Sequence, residues 1–245
     1  MTQTKKAFVL LSGGMDSTTC LFQAIYDYAP PAIDRDQVAN LIGQLQDGTP
    51  PAVGPGIDIP WVEAISVDYG QRHKKEFVYA AETCKTLGIK HTVLDISGIL
   101  NGKGVMLTDA SVKIPEISYS DIQGVSPTYV PFRNGTLLSM ITAHAQKWVN
   151  EQIAVEKGSN QLASDQDLML QARDSVGVYF GAHNEDAFNW AYPDCTPEFI
   201  GAMANAIYTG SYYAIRLITP LQWLSKTDVV RLGNRLDVQI GRAHV

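Results

Sequence analysis

The feature that most constrains this chain is a regular switch between two hydrophobic periods. Five short runs, "KKAFVLL", "WVEAISVDYG", "HTVLDI", "SVGVYFGA" and "AIRLITPL", read as β-strands, the first and fourth with the apolar, small or β-branched make-up of buried ones. Between them, apolar residues recur at helical spacing. Leu21, Ala24, Ile25 and Tyr28 follow the first run, and Phe77, Ala81, Cys84 and Leu87 follow the second, with Gly88 as a stop. Leu137, Leu138, Ile141, Ala145 and Trp148 mark a helix in "RNGTLLSMITAHAQKW", with Asn134 as its cap. "TPEFIGAMANAIYTG" has Thr196 as a cap, Pro197 in the first turn and Gly210 beyond the end. "LSKTDVVRLGNRL" has Ser225 and Asp228 at capping-box spacing. This alternation predicts an α/β fold: an open parallel five-stranded sheet with helices on both faces. The 245 residues, 45% of them hydrophobic, suit a single domain over 1–245.

Two stretches interrupt the pattern. The first, about 29–60, contains "APPAIDRDQ" and "GTPPAVGPGIDIP", whose prolines and glycines block regular structure at both ends. A short helix around Val38, Leu41, Ile42 and Leu45 fits between them. The second, about 150–175, is polar with weak helical character. Both read as surface insertions, either decoration or lids.

Composition narrows the function. A net charge of −6, from 19 basic and 25 acidic residues, offers no basic stripe for nucleic acid. No apolar run is long enough to cross a membrane, and "MTQTKK" leads into the first strand without a signal-peptide pattern. Cys20, Cys84 and Cys195 are scattered and make no disulfide framework, so a cytoplasmic location is expected.

In a parallel sheet, ligands sit at the carboxyl ends of the strands. Polar strings fall there: "SGGMDS" after the first strand, "DYGQRH" after the second, "AHNEDAFNWAYPDC" after the fourth and "TPLQWLSK" after the fifth. "SGGMDS" lies on a strand-to-helix turn. A glycine pair lets backbone N–H groups approach a ligand, and the helix N-terminus adds unpaired donors and a positive dipole end. Together they suit phosphate. A plain tight turn capped by Ser17 is the competing reading. The string is neither the Walker pattern, which needs a Gly-Lys-Ser/Thr, nor the dinucleotide fingerprint, which needs a third glycine.

Other residues at this edge suggest roles. Arg133 beside a capped helix start suits phosphate. Lys226 in the first turn of a helix opposes the dipole, which hints at an anionic partner. Arg72 and His73 are candidates for substrate or phosphate, and Glu185, Asp186 and Asp194 for accepting paired N–H donors of a ligand. Tyr192, with Trp190 and Phe188, offers a stacking face or a piece of core. Cys195 reads as packing or recognition rather than as a nucleophile.

"VLLSGGMDSTTC" resembles the pyrophosphate loop of ATP pyrophosphatases, which cleave ATP between the α- and β-phosphates. With "DYGQRH", "YVPFRN", "AHNED", "YPDCTPEFI" and "TPL…LSKTDVVRLG" in this order, the chain resembles the 7-cyano-7-deazaguanine synthase, or QueC, family over most of its length outside the two interruptions. The resemblance implies an adenine nucleotide alpha hydrolase-like, Rossmann-like fold and a ligase of queuosine biosynthesis. Its substrates would be 7-carboxy-7-deazaguanine, ammonia and ATP with Mg²⁺, and it would work through adenylated intermediates. It places ATP on Leu10, Leu11, Ser12, Gly13, Gly14, Met15, Asp16, Ser17, Thr18 and Thr19. Catalysis falls to Asp16, Ser17, Arg133 and Lys226, with Asp16 orienting the loop, meeting magnesium or capping the helix. Substrate falls to Arg72, His73, Glu185, Asp186, Tyr192, Asp194 and Cys195. A homodimer is also implied. The family further implies a C-terminal four-cysteine zinc site, whose ligands the three cysteines here cannot supply. No metal ligand is therefore assigned. The expectations left open are a truncated reading frame, a variant without zinc, a relative acting on another purine or in DNA modification, and a non-catalytic nucleotide binder.

Overall fold

A computed structural model describes residues 5–49, 59–72, 74–100, 107, 124–159 and 161–238. Strands β1 (Lys6–Leu10), β2 (Val62–Asp68), β3 (Lys90–Asp95), β4 (Val176–Tyr179) and β5 (Ile215–Ile218) form one parallel sheet in the order β3-β2-β1-β4-β5. The helices are α1 (Met15–Tyr28), α2 (Arg35–Gln46), α3 (Lys75–Thr86), α4 (Arg133–Ser159), α5 (Asp165–Gln171), α6 (Pro197–Gly210) and α7 (Lys226–Arg235). Two 3-10 turns, Asn184–Trp190 and Pro193–Cys195, follow β4.

Strand alternation divides the core into two halves. Ala7, Val9, Val62 and Ala64 face one side with Leu21 and Ile25 of α1, Ile42 of α2, Cys84 of α3 and Val229 of α7. Phe8, Leu10, Ile65 and Val67 face the other with Leu138 and Ile141 of α4 and Ile207 of α6. Phe8, Ile65, Ile141 and Ile215 are fully buried, each contributing about 1.5–3 kcal/mol of transfer free energy. The central strands β1, β2 and β4 are covered on both faces, as their near-continuous apolar runs require, while the edge strand β3 stays largely exposed, with Val93 open to solvent.

The helical patterns hold, with local corrections. The buried face of α3 runs through Ala80, not Ala81, because Ala80 packs beside Gly13 where the helix crosses the β1 turn. Gly210 is the last residue of α6, and Ser211 takes the terminal position. Ser225 caps α7 by accepting from the Asp228 N–H, as its spacing predicts.

The first interrupted stretch holds the short helix its pattern predicts, and the second contains more helix than its composition suggests. Within the first, Asp34 and Gln37 form a reciprocal capping box that starts α2, and Val38, Ile42 and Leu45 are buried. Residues 50–58 lie outside the described residues. In the second, α4 runs on to Ser159 because Val149 and Ile153 keep it against the sheet. Lys157 pairs with Asp165 at the start of α5, which buries Leu168.

Candidate active site

The sheet order reverses at β1, whose neighbours are β2 and β4. At such a switch point the loops leaving adjacent strands diverge and open a crevice. Here a cleft of about 300 Å³ is lined by the β1 loop (Leu11, Ser12, Asp16, Ser17), the β2 loop (Tyr69, Gln71, Arg72) and Gly181 after β4. Glu76 and Phe77 of α3 and Arg133, Asn134 and Leu137 of α4 complete the walls.

The β1 loop is held by its own hydroxyls. Ser17 Oγ donates to the Gly14 carbonyl at 3.1 Å and accepts the Ser12 N–H at 3.2 Å. Ser12 Oγ lies 3.1 Å from Ser17 Oγ and accepts the Gly14 N–H at 3.4 Å. Ser66 Oγ donates to the Leu11 carbonyl at 2.6 Å and pins the loop to β2. Ser17 is therefore no cap. It lies inside α1, whose N-cap is Gly14 with no side-chain cap hydrogen bond. That leaves the first-turn donors of α1 for an incoming group. Gly13 has φ +82°, and a Cβ there would lie 2.5 Å from the Glu76 carbonyl oxygen. Thr18 and Thr19 are buried within α1 and stand behind the loop.

Asp16 does not cap the helix either. It lies in the first turn and pairs with the Lys226 ammonium at 2.8 Å, across 210 residues of sequence. The anion that the position of Lys226 hints at is thus this carboxylate. Glu185 Oε2 meets the Lys226 N–H at 3.4 Å, and Asp186 lies 3.9 Å from the ammonium.

Across the cleft, Asn134 is not the cap of α4 but lies within its first turn. Asp194 takes that role from a distant segment: its Oδ2 accepts the Asn134 N–H at 2.9 Å. Asn134 Nδ2 donates to the Asp194 carbonyl and to Cys195 Sγ, each at 3.3 Å. Burial raises the Asp194 carboxyl against the Asn134 N–H and Arg133, and leaves it above its usual range. Burial alone would lower the Arg133 guanidinium, but Tyr69, Asp194 and Cys195 outweigh it and hold it above its usual value. Its carbon lies 6.0 Å from the Tyr69 ring centre. The Cys195 thiol is pushed up to about 12, first by burial and then by Asp186 and Asp194. Burial of this kind suits the packing role expected of Cys195 better than that of a nucleophile.

Of the residues expected to read substrate, Arg72 lines the cleft, while Glu185, Asp186, Tyr192, Asp194 and Cys195 do not. Tyr192 Oη meets Thr128 Oγ1 at 2.5 Å and Ser126 Oγ at 3.1 Å. Phe188 and Trp190 are exposed. His73 lies outside the described residues. Sequence reasoning missed Tyr69 and Gln71, though both lie in the quoted "DYGQRH". It also missed His183 of "AHNED", which is fully buried beside Asp16. Cys20, Cys84 and Cys195 are separately buried and free. Among the described residues, no helix is long and apolar enough to cross a membrane.

A sequence model described as queuosine biosynthesis protein QueC matches residues 58–166 and 160–245, and one described as asparagine synthase matches 1–99. A 7-cyano-7-deazaguanine synthase of Marinomonas sp. (strain MWYL1) is 32% identical over 98% of this chain and 82% of its own length. One from Leptospira interrogans serogroup Icterohaemorrhagiae serovar copenhageni is 34% identical over 95% of this chain and 74% of its own. Solved structures are more distant. The NH3-dependent NAD synthetase of Campylobacter jejuni has a TM-score of 0.39 and 11% identity over 99% of this chain and 68% of its own, too low to bear on the site.

Proposed function

The chain belongs to the QueC family of queuosine biosynthesis, and from that premise we propose that it is a carbon–nitrogen ligase making 7-cyano-7-deazaguanine from 7-carboxy-7-deazaguanine, ammonia and ATP. The observation that carries this reading is the cleft itself, with an uncapped helix N-terminus on one wall and the Arg133 guanidinium on the other.

A carboxylate oxygen is a poor leaving group. Its attack on the α-phosphorus of ATP releases pyrophosphate and makes AMP the leaving group. Ammonia then displaces AMP to give the amide. A second ATP activates the amide oxygen in the same way, and loss of AMP with two protons from nitrogen leaves the nitrile. Both activations expel pyrophosphate, so one set of donors serves twice. The Gly13 and Gly14 backbone, the Ser12 and Ser17 hydroxyls and the α1 dipole supply it, and such preorganised donors act without reorganising. Arg133 neutralises charge from the facing wall. Lys226 reaches the phosphates once it exchanges Asp16 for them. Arg72, at the cleft mouth, meets the substrate carboxylate before activation. A magnesium ion bound with the triphosphate would neutralise its charge, and Asp16, whose Oδ1 is buried without a hydrogen-bond partner, would hold it as a hard oxygen ligand.

The test is one reaction: purified protein with 7-carboxy-7-deazaguanine, ATP, Mg²⁺ and ammonium, followed by mass spectrometry. The expected result is nitrile with two AMP formed per nitrile. ATP binding with no substrate-dependent AMP would overturn the reading and leave a nucleotide-binding relative.

A further inference from the structure

One group of side chains beside the cleft holds a buried histidine without a hydrogen-bond partner. His183 is fully buried at the end of β4, and neither ring nitrogen has a hydrogen-bond partner. Its Nε2 faces Asp16 Oδ2 at 3.7 Å and Asp186 Oδ2 at 3.6 Å, beyond hydrogen-bond length. One donor atom from each of the three residues lies within 4.8 Å of the others. Asp16 Oδ1 is likewise buried and unpartnered. The Lys226 ammonium leans on the same group from outside, 2.8 Å from Asp16 Oδ2.

We propose that Asp16, His183 and Asp186 form a binding site for a first-row transition-metal dication, with Lys226 competing for the shared carboxylate. With metal–ligand bonds of about 2.1 Å, the two Nε2–Oδ2 separations subtend roughly 120° at a cation between them, close to the tetrahedral and trigonal range. The donor set gives the selectivity. Mg²⁺ and Ca²⁺ prefer oxygen ligands, whereas one imidazole nitrogen with two carboxylates suits the Mn²⁺ to Zn²⁺ series, most strongly at its later end. The fold supplies the rigidity: Gly181 packs its backbone against Asp16 and Ser17, where a Cβ would come within 3.2 Å of both. The Asp186 N–H donates to the His183 carbonyl at 3.2 Å and fixes the turn carrying the third ligand. A cation there would lie against the β1 loop and add positive charge beside any bound phosphate. The site needs neither nucleotide nor deazapurine, so it stands or falls separately from the ligase reading.

The probe is Mn²⁺ alone, added to chelator-treated full-length protein without nucleotide and read by electron paramagnetic resonance and spin-echo modulation. The expected result is one bound Mn²⁺ showing ¹⁴N coupling, displaced by Zn²⁺ at far lower concentration than by Mg²⁺. His183→Gln should remove the ¹⁴N coupling, and it and Asp186→Asn should each weaken binding at least about ten-fold. Lys226→Met should tighten it several-fold by removing the competing cation. Circular dichroism and melting establish that each variant is folded. If His183→Gln fails to fold, the wild-type coupling and the other two variants still decide. No Mn²⁺ binding without nucleotide, binding without nitrogen coupling, or coupling and affinity unchanged in His183→Gln would overturn the proposal and leave a buried ion-pair cluster.

Discussion

Gly13 and its neighbour Gly14 place opposite demands on the β1 turn, so alanine at each position separates backbone geometry from composition. At Gly13 the backbone is left-handed, with φ +82°, which costs an L-residue about 1–2 kcal/mol. The new Cβ would also stand 2.5 Å from the Glu76 carbonyl oxygen and 3.2 Å from the Ala80 nitrogen. Both contacts are backbone, so no side-chain rotation relieves them. Either α3 retreats or the loop deforms, at a further cost of about 1–2 kcal/mol by analogy with overpacked cores. The sum is about 3 kcal/mol. At about 2–4 °C per kcal/mol for a chain of this size, Gly13→Ala should melt about 6–12 °C lower. Gly14 is different. Its φ is −77°, and a Cβ there meets only Ser12 Oγ at 3.5 Å, an ordinary contact. Gly14→Ala should stay within about 1 kcal/mol, the usual difference between these residues at an N-cap. Melting both variants by circular dichroism, with and without ATP, tests the argument. Gly13→Ala should also lose any ATP-dependent rise in Tm, because Glu76 and Phe77 line the cleft from the displaced helix. If the two variants melt together, the close approach of α3 to the loop is not what fixes glycine there.

Three other substitutions probe the site and its support. Ser17→Ala removes the hydroxyl that joins Ser12 to Gly14 and should cut AMP release at least about 100-fold, the scale for loss of a preorganised donor, while the fold persists; turnover within a few-fold of wild type removes the loop from the chemistry. Cys195→Ser should keep AMP formation within about ten-fold, since the thiol is held protonated and the Asn134 amide can donate to a hydroxyl instead; complete loss in a folded variant would point to a nucleophile. Glu63 does not line the cleft and is buried among Lys6, Lys90 and His144. Burial alone would raise its carboxyl, but His144, Lys90, Lys6 and Thr92 outweigh it and hold it below its usual value. Its stabilisation is therefore present above the unfolded-state value and lost as pH falls through the lowered folded-state value. Glu63→Gln should cost about 2 kcal/mol at pH 7, and the gap from wild type should close in acid; a gap that stays constant from pH 7 to pH 3 refutes this.

How much of this was legible in the sequence depends on the range of each interaction. The strands, the α2 capping box and the Ser225 cap are local. Each is set by residues within four positions of one another, so periodicity and cap chemistry suffice. The β1 loop is nearly local too, because its hydroxyl network closes between Ser12 and Ser17. What failed were the readings of helix ends that meet distant segments, whereas the local caps at Thr196 and Ser225 hold. Asn134 is the kind of residue that caps helices, and it precedes an apolar stripe, but α4 draws its cap from Asp194, sixty positions later. That one exchange reassigns two residues. Asn134 becomes a cleft wall, and Asp194, which looked like a reader of purine N–H groups, spends one oxygen holding the wall in place. Lys226 follows the same logic. A cation in the first turn of a helix is locally unfavourable, and it becomes intelligible only when Asp16 arrives from the opposite end of the chain. His183 left the faintest signal, a single histidine in a polar string. Its burial, and its distance to two carboxylates on different elements, exist only after β1 and β4 lie side by side. The sheet order that brings those strands together is thus what turns scattered charged residues into one site.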